Sequence, residues 1–142
     1  MREILFRGKS TDNGEWVQGF VLRRPSPIQI GDHFSPWFIE KPQQDPDDSG
    51  ALYNVSGETV GQYTGLNDKN GEKIFEGDIV DCWSEGVNAK GTVQQRRDGL
   101  WIIYPNWQNH IMWGLCPDEY SHTTVEVIGN VYDNPELLEG NR

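Results

Sequence analysis

Residues Glu58–Val80 read ETVGQYTGLNDKNGEKIFEGDIV, and this stretch decides the fold. Thr59-Val60-Gly61-Gln62-Tyr63 combines aromatic and β-branched residues and predicts a strand. Asp68-Lys69-Asn70-Gly71 predicts a tight turn, because Asn and Gly tolerate the positive φ that a sharp reversal needs. Lys73-Ile74-Phe75 predicts the returning strand. Gly77-Asp78 then opens a further strand, Ile79-Val80-Asp81-Cys82-Trp83. No motif for catalysis or cofactor binding lies within the block.

The same grammar extends in both directions. Ile4-Leu5-Phe6, the turn Asp12-Asn13-Gly14 and Trp16-Val17-Gln18-Gly19-Phe20-Val21 predict a β-hairpin over residues 1–22. Residues 23–52 differ, since prolines 25, 27, 36, 42 and 46 fall there. Proline fixes φ and cannot donate to a ladder, so regular sheet is disfavoured through this stretch. The all-polar run 43–50 predicts a mobile loop. Ile28-Gln29-Ile30 and Trp37-Phe38-Ile39 are candidates for short edge strands.

Further strands are predicted at Leu52–Val55, Gly91–Gln94, Leu100–Tyr104 and Thr124–Tyr132, with a turn at Asp98-Gly99. On a pleat, Val125, Val127 and Val131 share one face, which is the expected core side. Trp16, Trp83 and Trp101 fall on strands and are expected in the core. Asn134-Pro135-Glu136-Leu137-Leu138 predicts one helical turn, with an N-cap residue and proline at the first helical position. Many short strands with glycine turns point to a mostly β fold, a small barrel or sandwich.

Composition narrows the function classes. The 142 residues suffice for a core that buries about 68% of the unfolded chain's surface. The net charge of −10 opposes phosphate backbones and makes nucleic acid an unfavoured partner, while it favours a basic one. Cys82 and Cys116 have no CxxC or Cys/His ligand spacing. No apolar run near Met1 forms a signal segment, and none approaches the ~20 residues of a membrane helix. These features predict a cytoplasmic protein with reduced thiols, no cofactor and no metal.

Each candidate for chemistry has a structural explanation that fits better. Glu76 and Asp78 are two residues apart at a strand entry, where paired carboxylates can divide acid and base roles. Glu-Gly-Asp before an apolar strand is better read as a turn, with Asp78 bonding backbone amides. Asp45–Gly50 resembles a calcium loop, but its twelfth position is Ser56, not glutamate. His33, His110 and His122 show no metal-ligand spacing, and nothing sets a base beside Cys116. Gln94-Gln95-Arg96-Arg97 is the one basic spot beyond the N-terminus, and Trp83 or Trp101 beside it would be needed to stack bases. A hairpin turn next to Asp98-Gly99 explains it better.

The remaining tryptophans, Trp37, Trp107 and Trp113, lie in loop-like sequence. With His110 and Met112, they make the candidate interaction surface: Trp37, Trp107, His110, Met112 and Trp113. A loop tucked over a barrel end is the competing explanation.

Three ordered blocks carry a family resemblance. They are Phe6-Arg7-Gly8-Lys9 with Gly14–Gly19, then Thr59–Leu66 through Asp68-Lys69-Asn70-Gly71 to Glu76–Val80, and finally Glu126–Tyr132 with Asn134–Leu138. Together they resemble the YopX family of phage and prophage proteins, with residues 23–57 and 84–122 weakly covered. The resemblance implies an SH3-like small β-barrel in the C-terminal part, an N-terminal β lobe and self-association. It implies no activity and no site residue.

The expected organisation is an N-terminal β-hairpin lobe over 1–57 with a proline-rich insert at 23–52. An SH3-like β-barrel follows over 58–134, then a helical turn and tail over 135–142. The expected function is that of a non-enzymatic phage or prophage accessory protein. It would bind protein or form a homo-oligomer in the host cytoplasm. A nucleic-acid-binding barrel and an enzyme acting on a small polar substrate are the alternatives.

Overall fold

The computed structural model describes residues 4–24, 35–42, 51–84, 87–104, 113–115 and 123–139; residues 83–84, 87–89, 113 and 139 are described by backbone only. Much of the expected proline-rich insert, including the expected loop at 43–50 and strand at 28–30, lies outside the described residues. The strands form two antiparallel sheets, and the chain divides into two compact units, residues 1–62 and 63–142.

The N-terminal unit contains β1 (Phe6–Lys9), β2 (Trp16–Arg23), β3 (Trp37–Glu40), β4 (Leu52–Val55) and a 3-10 turn, Gly57–Thr59. It also holds the start of β5 (Gly61–Asn67). The order is β4-β3-β2-β1-β5, antiparallel throughout. The expected first hairpin is present, and Gly14 makes its turn at φ 72°. Trp37-Phe38-Ile39 does form a strand, but not an edge one: β3 pairs with β2 on one side and β4 on the other. Pro36 and Pro42 flank the strand without entering it, so its donors are intact.

Val17, Ile39 and Val55 form the centre of this unit, with Phe6, Val21, Trp37, Tyr53 and Val60 packed around them. Two glycines let the backbones close on so small a core. A Cβ at Gly19 would lie 2.1 Å from the Glu40 carbonyl oxygen, and one at Gly8 would lie 2.9 Å from Val55. The ends of β1 and β4 also meet: Ser10 bridges Val55, and the Ser56 N–H donates to the Lys9 carbonyl at 2.9 Å. The sheet therefore curls around its core.

Trp16 corrects the expectation of a core tryptophan. It pairs with Lys9 and alternates with buried Val17, so it points to the opposite face. There it is half-buried, with the Arg7 guanidinium 4.6 Å from its ring centroid.

The C-terminal unit holds the rest of β5, then β6 (Lys73–Phe75), β7 (Asp78–Ser84), β8 (Val87–Gln95), β9 (Trp101–Tyr104), β10 (Trp113–Gly114) and β11 (Glu126–Asn130). One helical turn, α1 (Glu136–Glu139), follows where the Asn-Pro signal predicted it. The five-stranded sheet has the order β10-β9-β8-β7-β11, and β5 pairs with β6 across the Asn70-Gly71 turn, with Gly71 at φ 86°. Its core is built from Ile74, Val80, Val93, Ile103 and Val125, with Trp101 buried among them as expected.

Two expectations are corrected in this unit. The described strands of residues 58–134 form antiparallel sheet without closing into a barrel. Among the described residues β10 and β11 end the five-stranded sheet and no ladder joins them. Val131 does not continue the Val125–Val127 series either. The β7–β11 register shifts between Val127 and Gly129, and Val131 falls in the turn beyond the strand.

Candidate functional site

Two acidic residues of the 58–80 block, Asp68 and Asp78, turn inward. Asp68 is fully buried. Its Oδ1 accepts from the N–H groups of Asn70 at 2.8 Å and Glu72 at 2.9 Å. Its Oδ2 accepts from the Val127 N–H at 3.1 Å, 59 residues away in sequence. Beside it the Lys69 N–H donates to the Val125 carbonyl, and the Lys69 ammonium lies 3.3 Å from Glu126. One carboxylate thus shapes the β5–β6 turn and ties it to β11.

Asp78 behaves as its sequence context predicts. It is buried, and its Oδ2 accepts from the Phe75 N–H at 2.8 Å, closing the reversal between β6 and β7. Glu76 is half-buried in the same turn. Asp78 therefore serves the backbone.

A third polar knot follows β11. Asn130 Oδ1 accepts from the N–H groups of Tyr132 at 3.0 Å and Asp133 at 2.9 Å, while its Nδ2 donates to Asp133. Asn134 Oδ1 accepts from the Asn130 N–H at 3.3 Å. The Asn134 side chain thus reaches back to the strand, although its carbonyl accepts from the Leu137 N–H at the helical turn. A Cβ at Gly129 would meet Asn134 Oδ1 at 2.6 Å, which explains the glycine.

The basic spot is a hairpin turn, as expected. Arg96 makes a two-pronged contact with Asp98 through Nε and Nη2. The side-chain hydrogen bond from Arg96, aided by the Leu100 N–H, holds the Asp98 carboxyl down to about 2. The same hydrogen bond raises the Arg96 guanidinium. Cys82 is buried in the core, and burial first, then the Asp81 charge, pushes its thiol up to about 12. Such a thiol is a poor nucleophile.

The predicted interaction surface is only partly described. Trp107, His110 and Met112 lie outside the described residues, as do His33, His122, Cys116 and the calcium-like loop 45–50. Trp113 pairs with Ile103 in β10, with its backbone alone described. Trp37 is half-buried in the N-terminal unit. Its ring covers Gly57, where a Cβ would lie 2.4 Å from the indole, and Arg23 sits 5.9 Å from its centroid. Among the described residues no cluster of three or more His, Cys, Asp or Glu is placed to hold a metal. No described helix is long and apolar enough to cross a membrane.

A different surface stands out. Phe20, Glu40 and Leu52 are direct cross-strand partners on β2, β3 and β4. Phe20 is 52% exposed and Leu52 42% exposed. Leu22 and Phe38, paired in the next row of the same face, are half-buried. The signal was present in the sequence of β2: Val17, Gly19 and Val21 fill the inner face, leaving Phe20 and Leu22 where polar residues belong.

A search of curated proteins finds no match. Among solved structures, the crystal structure of protein EF1440 from Enterococcus faecalis is similar, at 22% identity and a TM-score of 0.46, covering 97% of this chain and 99% of that chain. A family model described as YopX protein matches residues 5–139, nearly the whole chain, and the chain belongs to the YopX family.

Proposed function

We propose that this chain is a non-enzymatic protein-binding module of a phage or prophage, working in the host cytoplasm. The observation that supports it is a group of exposed and half-exposed apolar side chains around Glu40 on the outer face of β2, β3 and β4. Two large apolar side chains, Phe20 and Leu52, stand in solvent there beside Leu22 and Phe38. Exposed large apolar side chains gathered on one face and interspersed with polar ones, here Glu40 and Asn54, are a feature of interaction surfaces. The phage setting rests on family membership. An SH3-like arrangement of β7–β11 belongs to the same proposal; its support is the run of short antiparallel strands and the family.

The alternatives draw less support. Arg96 is held by Asp98, so the basic hairpin offers phosphate a neutralised pair. Asp68 and Asp78 are engaged with backbone amides, away from solvent.

The test replaces the exposed pair. The doubly substituted F20E/L52E protein should keep the wild-type circular dichroism spectrum and lose its binding, read as self-association in light scattering and as recovery of a partner from phage-carrying cells. Full retention of both would overturn the proposal.

A further inference from the structure

The chain carries the same tripeptide in two turns, Asn13-Gly14-Glu15 and Asn70-Gly71-Glu72. An asparagine followed by glycine can lose its side-chain amide without an enzyme, because the glycine nitrogen reaches the asparagine Cγ and no Cβ obstructs it. Identical neighbours remove the local sequence as a variable, so the fold sets the two sites apart. Both asparagines are exposed, and a Cβ at Gly14 or at Gly71 would meet nothing within 4 Å. Each glycine N–H donates to a backbone carbonyl at 3.0 Å, Gly14 to Ser10 and Gly71 to Asp68. The difference lies in the next amide. The Glu15 N–H donates to Asn13 Oδ1 at 3.0 Å. The Glu72 N–H donates instead to Asp68 Oδ1 at 2.9 Å.

We propose that Asn13 is a site of spontaneous modification, converted to aspartate and isoaspartate, and that the fold protects Asn70. The Gly14–Ser10 hydrogen bond opens within a turn whose residues 11–15 are exposed. The Gly14 nitrogen gives its proton to water or hydroxide and attacks Asn13 Cγ. Negative charge develops on Oδ1, where the Glu15 N–H already donates, in the manner of an oxyanion hole. The Cγ–Nδ2 bond then breaks and the nitrogen leaves as ammonia, closing a five-membered imide. Water adds to either imide carbonyl. One opening gives aspartate, and the other gives isoaspartate, with the backbone routed through Cγ. At Asn70 the matching donor is taken: Asp68 accepts from the amides of Asn70 and Glu72 and ties the turn to the Val127 N–H. Opening that turn disturbs bonds to a buried carboxylate. Modification at residue 13 adds a negative charge between Asp12 and Glu15 and, as isoaspartate, lengthens the β1–β2 reversal by a methylene.

Peptide mapping by mass spectrometry reads both sites in the full wild-type chain, kept folded for weeks at mildly alkaline pH and physiological temperature. Asn13 should convert about fivefold faster than Asn70 or more, the factor expected from a hydrogen bond that only the first site offers its transition state. In concentrated urea both turns are lost, and the two rates should agree within about twofold. Equal rates in the folded chain, faster conversion at Asn70, or no conversion at Asn13 overturns the proposal. A difference between the sites that persists undiminished in urea also overturns it, because the cause would then be sequence and not the fold.

Discussion

The two units differ in the means they lean on most to hold their strands together, although Gly129 makes room for Asn134 in the second and Asn54 bonds the Ser35 and Trp37 carbonyls in the first. The N-terminal unit omits side chains: Gly8, Gly19 and Gly57 sit where a Cβ would strike Val55, the Glu40 carbonyl and the Trp37 ring. The C-terminal unit adds them: Asp68, Asp78 and Asn130 reach into the backbone and satisfy amides that no strand pairs. Close approach in the first unit is a steric condition, sensitive to volume. Joining in the second is a hydrogen-bonding condition, sensitive to polarity at nearly constant volume. A volume change at Gly19 and a polarity change at Asp68 should therefore each have a large effect, by different routes.

The largest effect should come from Gly19→Val. The obstacle is backbone at 2.1 Å, so the strand itself must move, and the expected loss is about 4 kcal/mol in urea unfolding. A loss below about 1 kcal/mol would break the steric account of the N-terminal unit. Asp68→Ala should follow, at about 2 kcal/mol, because it leaves three partly buried N–H groups without their acceptor. Asp68→Asn keeps the volume and one acceptor, so it should recover about half of that loss. Equal effects of Ala and Asn would show that packing, not the amide bonds, carries the site.

Gly57→Ala should cost less, about 1.5 kcal/mol, since the Trp37 ring is half-buried and can shift. Thermal unfolding with Trp37 fluorescence would show it. The smallest effect concerns Asp98, a surface acid in the unit of buried acids. Its folded value, about 2, lies below the ordinary value of about 3.9. Its contribution is therefore present above pH ~4 and is lost as the pH falls through ~2. Exposure and salt keep it small. In an NMR titration the Asp98 midpoint should return towards its ordinary value in R96A, with no measurable change in melting temperature at pH 7.

Local chemistry was the legible part of this chain. Asn13-Gly14 and Asn70-Gly71 announce their turns because positive φ is written into the residue type. Asp78 before Ile79 and Asn134 before Pro135 announce a reversal and a helical turn for similarly local reasons. The register between distant strands was not legible. Nothing in residues 66–72 says that Asp68 will meet the amide of Val127, and nothing near Phe20 says that Glu40 and Leu52 will stand beside it. Trp16 shows the same limit, since alternation fixes that it opposes Val17 but the sequence around it suits either face. The apolar outer face of β2 was visible as a run without polar alternation, yet its meaning depended on which strands flank it. The predicted surface around Trp107 and Trp113 was compositional, and composition carries no geometry.

The carboxylate of Asp68 has a further consequence. Among the described residues β11 pairs with β7 on one side only. On its other side the Val127 N–H is covered by Asp68 and the Val125 carbonyl by the Lys69 N–H. An edge strand left bare is a template for the next chain, and growth along it leads to fibres. Here the template is occupied by a turn from the same molecule, with the Asp68 carboxyl group at its centre. The chain can therefore be concentrated without polymerising through that strand.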